Sequence, residues 1–421
     1  MFNKVKGLWD KKSVKQVVAL FSVNLFGIPL GIVTNILVTR YLGAELFGDY
    51  KLFCSIFNFA ALFATVGFFQ AGNRAIVQSK NSKEVQGLYG ALLIILFGLY
   101  LLMSFGLLIY VHFDTNLANK NLVSLFASII PLGAITLWGQ LYETVLPADN
   151  KIDLLAKIRL WPKIINIFVA SLLYLFCRDY AWDRLIAILL LYNGSQFLVF
   201  TYAASKIKPT FRNAREGIKK IFYYNKTFGF NVYVGSLFAV GLGYLAEIII
   251  SYFGANNADV GFYSLAITLS QPLAFIPSTI ATTHYKSFAT SCAIPRKLLI
   301  ITLLFSGISV IALWVLIPPF VKCFYGSDFI PVIRINFFVC IAVFLHGIAD
   351  FYNRFIQAKG FGILLRNASI IVGLATLISN LVLIPYFGAN GAAYSKIING
   401  TVYLGIIYYY YSKIISTNAK I

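Results

Sequence analysis

Apolar runs of about 20 residues, the length a helix needs to cross the hydrocarbon core of a bilayer, alternate along this chain with short charged or turn-rich links. Twelve runs can be separated, centred near Gly27, Ala61, Phe97, Leu132, Ile167, Leu191, Ala239, Ser270, Ile308, Cys340, Gly373 and Ile398. No link is long enough to hold an inserted soluble domain. In hydrocarbon each segment must satisfy its own backbone N–H and C=O groups, so runs of this length read as helices. The expectation is an all-α polytopic membrane protein with twelve transmembrane helices. The first run, from about Val17 to Val38, follows the basic stretch MFNKVKGLWDKKSVKQ. It exceeds a signal-peptide core and ends in no small-residue cleavage site, so it reads as a retained first span.

Charge sets the orientation. With the N-terminus in the cytoplasm, cytoplasmic segments carry 26 of the 35 Lys and Arg, outer segments carry 8, and Lys163 lies inside span five. Cytoplasmic loops of membrane proteins carry such an excess, which places both termini in the cytoplasm. The net charge of +20 then belongs to loops facing anionic membrane lipids, and it calls for no nucleic acid. The 5 cysteines are scattered, with no CxxC or Cys/His cluster, so neither a disulfide framework nor a metal site is expected.

The chain also repeats itself. RYLGAELFGDY (Arg40–Tyr50) is echoed by SYFGANNADVGFY (Ser251–Tyr263), with Gly43 and Gly254 211 residues apart. YETVLPA (142–148) is echoed by YNRFIQA (352–358) at an offset of 210. Both offsets are half the chain. Two six-span halves, 1–210 and 211–421, are expected, inserted the same way up as a parallel repeat that frames a transport pathway. Interruptions of the helical pattern recur in the two halves. Span one holds Gly27, Pro29 and Gly31 in GIPLG; span seven holds Gly241 and Gly243; span eight holds Pro272 and Pro277. Proline removes a helical hydrogen bond and glycine eases bending. These seven positions are candidates for gating or bending, and for span one close helix packing through GxxxG is an equal alternative.

Three stretches, in order, carry a family resemblance. RYLGAELFGDYKLFCSIFNFAALFATVGF, VGFYSLAITLSQPLAFIPSTI and IPYFGANGAAYSKI resemble the polysaccharide flippases of the Wzx type, within the multidrug/oligosaccharidyl-lipid/polysaccharide (MOP) superfamily. The resemblance implies a MATE-like fold of two six-helix lobes in a V. It implies a bacterial inner membrane location. It implies a substrate, an undecaprenyl-pyrophosphate-linked oligosaccharide such as an O-antigen unit of lipopolysaccharide, moved from the cytoplasmic to the periplasmic leaflet by alternating access. A polysaccharide polymerase and a chain-length regulator are partners to consider. No cofactor is implied beyond coupling to a proton or sodium gradient, and no sequence pattern for ATP hydrolysis is present.

An anionic pyrophosphate needs cations along its path. A charge deep in a span costs about 2.5–3.5 kcal/mol and is a functional candidate by default, whereas one near a span end snorkels cheaply. The candidates for a cationic lining or mouth are Arg40, Lys51, Arg74, Lys163, His284 and Lys286. Arg74 ends span two; His284 and Lys286 end span eight; shifted by the repeat offset they bracket Arg74. For Lys163, snorkelling to the cytoplasm is the preferred reading. Glu247, in YLAEIII of span seven, is a candidate for ion coupling, its rival role being an ion pair with Arg40 or Lys51. His346 and Asp350, four apart on span ten, read as packing or snorkelling groups. Two other functions compete: a drug/cation antiporter of the same superfamily, which favours acidic lining groups, and a membrane polymerase, which needs a large outer loop or an acidic metal motif. Lacking a nucleophile–base constellation, the chain is not expected to be an enzyme.

Overall fold

The computed structural model describes residues 12–79, 81–176 and 183–418, with side chains from Phe26 onward except those of Lys286 and residues 417 and 418. Among the described residues the structure is helical throughout, without strands. Ten helical stretches are long and apolar enough to cross a membrane, and span one, Lys12–Leu42, precedes them.

The last stretch is two spans. Gly362–Asn418 runs for 57 residues, which as one rod would extend about 85 Å, far beyond a bilayer. Gly388 breaks it, with φ 54° and ψ −133°, a left-handed conformation that suits glycine. The chain then folds back: Ser379 Oγ meets Ser395 Oγ at 2.6 Å and Asn399 bonds Thr376, and both pairs are centred on the break. Span eleven therefore approaches Gly388 and span twelve leaves it. The twelve expected spans are thereby accounted for.

Two compact units form. The first gathers span one with Ile56–Val234; the second gathers Gly43–Ser55 with the chain from Gly235 on. In the first unit, Phe57 stacks on Phe126 with ring centroids 5.0 Å apart. Gly133 makes room for that pair, since a Cβ there would lie 2.2 Å from the Phe57 ring. Arg159 on span five (Ile152–Phe176) holds Glu143 on span four (Val123–Val145) through its Nη2 at 2.5 Å. In the second unit, Phe288, Phe351, Phe355 and Ile407 form a fully buried apolar cluster.

The echoed stretches meet inside the second unit. Asp49 accepts from Asn257 Nδ2 at 2.6 Å, and Asn257 Oδ1 accepts from Ser251 Oγ at 2.6 Å. Gly48 lies directly on the Asn257 carbonyl, where a Cβ would fall 1.7 Å from the oxygen. A Cβ on Gly261, the matching glycine of the second copy, would press on Phe47 at 3.0 Å and on the Gly48 nitrogen at 3.2 Å. These Gly-X-Tyr glycines thus serve close helix approach. Of the two echoed glycines 211 residues apart, Gly43 is left-handed at φ 78°, but Gly254 is extended at φ −85°.

The interruptions do not all fall where proline and glycine put them. Span one stays helical through Gly27, Pro29 and Gly31. Span seven is irregular twice, with π-helical turns at Asn225–Gly229 and Leu237–Gly241, the second ending on Gly241. Span eight tightens into a 3₁₀ turn at Gln271–Ala274, which contains Pro272, whereas Pro277 sits inside the following helix, Phe275–Thr283. Span two is broken between Ala64 and Phe68.

Candidate functional site

The second unit holds a polar cluster at membrane depth, centred on Glu247. This residue sits six residues before the end of the helix Leu242–Phe253, about 9 Å along the axis. Its carboxylate accepts hydrogen bonds from the hydroxyls of Ser55 and Ser264, one to each oxygen. Lys51 and Lys396 are the cations whose charge reaches it. Lys51 is itself held between aromatic faces, its Nζ 5.1 Å from the Phe47 ring centroid and 5.3 Å from that of Tyr50. Beside the expected alternative, an ion pair of Glu247 with Arg40 or Lys51, the carboxylate has direct hydroxyl contacts, and Lys51 acts on it through its field. Such an arrangement gives the carboxylate a hydroxyl donor at each oxygen and two nearby cations.

A second polar group continues from Lys396, whose charge also reaches His346. His346 Nε2 bonds the Asn399 side chain, which bonds Thr376. One turn further along span ten (Pro331–Ala358), Asp350 accepts from the Tyr403 hydroxyl at 2.9 Å, and Asn353 donates to the same hydroxyl oxygen at 2.5 Å. His346 and Asp350 are thus each hydrogen-bonded to a neighbour on span twelve, as a packing role requires.

His284 caps the end of Phe275–Thr283 and keeps its Nδ1 3.0 Å from the Ile280 carbonyl and 3.1 Å from Thr283 Oγ1. The Lys286 side chain lies outside the described residues. Gly243 faces open space, and Pro277 packs against Gly347, where a Cβ would fall 2.7 Å from its ring.

The first unit holds the other candidates. Arg40 is exposed in the last turn of span one. Arg74 is exposed near the end of Phe68–Val77, with its guanidinium 4.6 Å from the Phe228 ring centroid. Lys163 has a partner inside the unit: its Nζ donates to the Gly27 carbonyl at 2.8 Å. A Cβ on Gly27 would come within 3.1 Å of that nitrogen, while Gly31 has open space beside it. Gly27 therefore admits a half-buried cation to the backbone of span one. The six proposed cations thus fall into separate sets: Arg40, Arg74 and Lys163 belong to the first unit, Lys51, His284 and Lys286 to the second.

Sequence reasoning missed Lys396, Ser55 and Ser264. Lys396 counted as an outer-loop cation because no charge marks where span twelve begins. The usable signal was Gly388: a corner there puts Lys396 eight residues, about 12 Å, inside the span.

A family model described as "Polysaccharide biosynthesis protein" matches residues 13–285. This chain belongs to that polysaccharide biosynthesis family. No curated protein matches it. Among solved structures, the family member is similar to a lipid II flippase MurJ in an inward closed conformation, with 16% identity over 93% of this chain and 87% of the other and a TM-score of 0.71. It is also similar to an inward-facing multidrug resistance MATE family transporter of the MOP superfamily, with 13% identity over 96% and 99% and a TM-score of 0.66. A MOP superfamily transporter from Pyrococcus furiosus, described as having a binding pocket of reverse polarity, is 12% identical over 95% and 94% with a TM-score of 0.54. At these identities the likeness establishes the fold, which is that of the MOP superfamily. This member of the polysaccharide biosynthesis family is thus a multi-pass membrane protein with the fold those structures share.

Proposed function

We propose that this chain is a flippase for a lipid-linked oligosaccharide. In this reading it turns an undecaprenyl-pyrophosphate-linked repeat unit of a surface polysaccharide, O-antigen or a relative, from the cytoplasmic to the outer leaflet by alternating access. The observation that carries the reading is the combination of a polysaccharide-biosynthesis family with a chain folded almost wholly into membrane spans of a transporter fold. A glycan built on a lipid carrier inside the cell has to cross the membrane, and this scaffold suits crossing rather than bond formation. The chain is accordingly read as a transporter and not an enzyme. The location is the bacterial inner membrane with both termini cytoplasmic. Partners are the lipid-linked oligosaccharide, bilayer lipids, a polymerase and a chain-length regulator.

Two roles follow. Arg74, His284 and Lys286 capture the pyrophosphate at the cytoplasmic mouth; Arg40, Lys51 and Lys163 line its path. Glu247, held by Ser55 and Ser264, exchanges a proton or sodium ion to couple transport to a gradient. The test is reconstitution with a lipid-linked oligosaccharide and a leaflet-specific glycan probe. Replacing Arg74, His284 and Lys286 together by glutamine abolishes flipping while membrane levels stay normal; unaltered flipping overturns the capture role. A multidrug antiporter on this fold would instead keep drug efflux in the triple variant and show no lipid-linked glycan movement in the wild type.

A further inference from the structure

The break in span two is made of unfavourable parts. Val66 has φ 43° and Gly67 φ 83°. The left-handed region disfavours β-branched residues, and such a conformation persists only where the surroundings impose it. Those surroundings come from the inner part of span seven, in the same unit. The Tyr233 hydroxyl donates to the Phe63 carbonyl at 3.0 Å. Gly67 and Gly229 lie backbone to backbone: a Cβ on Gly67 would fall 2.5 Å from the Gly229 carbonyl carbon, and one on Gly229 2.4 Å from the Gly67 carbonyl oxygen. Gly229 closes the π-helical turn Asn225–Gly229. Within it, Asn225 Oδ1 is buried and accepts no hydrogen bond. Phe68, the first residue past the break, packs edge-on to Phe222 with centroids 4.8 Å apart.

The Phe63 carbonyl is the informative atom. In an unbroken α-helix it accepts from the N–H four residues on, which is that of Gly67. Here it takes the Tyr233 hydroxyl instead. Beyond it, the Phe68 N–H closes a tight turn to the Thr65 carbonyl at 2.9 Å, and regular bonding resumes with Ala71 N–H to Gly67 at 3.0 Å. Gly67 can reach Phe63 in helical geometry only when Val66 and Gly67 leave the left-handed region. One acceptor thus has two donors that belong to two backbone states.

We propose that residues 63–68 are a two-state joint in span two. The Tyr233 hydroxyl latches the broken state, and the Gly67 N–H replaces it in a continuous helix. In the continuous state Phe68–Val77 extends the axis of Ala44–Ala64 and swings its own far end, which carries Arg74. Discrete repacking of this kind is what switching elements provide. The joint is read from backbone geometry and does not rest on the assigned substrate.

Hydrogen exchange of the purified full-length protein in nanodiscs, followed on the peptide covering residues 62–71, tests it without any transport assay. Tyr233→Phe removes the latch and keeps the ring, so Phe63 returns to Gly67 and exchange slows by roughly fivefold, the factor one ordinary hydrogen bond is worth. Val66→Gly removes the penalty of the broken state and leaves the latch, so exchange in the same peptide speeds up. Opposite shifts support the joint. Faster exchange in both variants means that Tyr233 only stabilises the fold, and no change in either means that no second state is populated; each of these outcomes overturns the proposal.

Discussion

A single carboxylate shows how a residue can be conspicuous in sequence while its hydrogen-bond partners are not. Glu247 stood out because apolar neighbours flank it, and its cost in a span demanded a partner. The two expected roles were ion coupling and an ion pair with Arg40 or Lys51. Its direct hydrogen-bond partners include Ser55 and Ser264, two small hydroxyls indistinguishable in sequence from the many others that bond their own helices. Glu247→Gln keeps the shape and most of the hydrogen bonding but removes the exchangeable charge. The expected outcome is flipping in proteoliposomes that no longer responds to an imposed proton or sodium gradient, at unchanged protein level. Full gradient dependence in this variant sinks the coupling role. Lys163 teaches the same lesson from the other side. Its position near a span end suggested snorkelling, and a glycine across from it opened the backbone of span one to its ammonium group.

Among elements, the glycines divide by what surrounds them. Gly48 supports the contact between the echoed stretches, where no Cβ fits. Gly48→Ala therefore overpacks that contact and costs about 1–3 kcal/mol. Gly31→Ala does not destabilise and gains up to about 1 kcal/mol, because its surroundings are open and alanine favours helix. Thermal unfolding of the two variants in detergent ranks them, and equal midpoints overturn the assignment. Proline was an imperfect guide to helix breaks. Pro29 is tolerated in a continuous helix, whereas span two breaks at Val66–Gly67, where no proline stands. That break is stabilised by Tyr233 from span seven, a partner 170 residues away that no local pattern could announce.

At the scale of the molecule, orientation remains a statement about charge, and two native cysteines can check it. Cys292 and Cys323 are both exposed; Cys292 falls on a link assigned to the cytoplasm, and Cys323 in the last turn of Arg296–Phe324, whose end is assigned to the outer side. In a Cys177→Ser background, a membrane-impermeant thiol reagent added to intact spheroplasts should label Cys323 and spare Cys292; the reverse pattern inverts the topology. The sequence alone determined the all-α membrane class, the number of spans and the family, because each is written in the length, order and spacing of apolar runs, and the bilayer imposes those lengths on any chain that crosses it. It could not determine which residues meet. The contact units trade segments, so that Gly43–Ser55 packs with the later spans. Only this exchange brings Ser55 and Lys51 to Glu247 and sets Asp49 against Asn257. Contacts between residues some 200 positions apart depend on how helices pack in three dimensions, and small residues that permit or refuse close approach decide that packing.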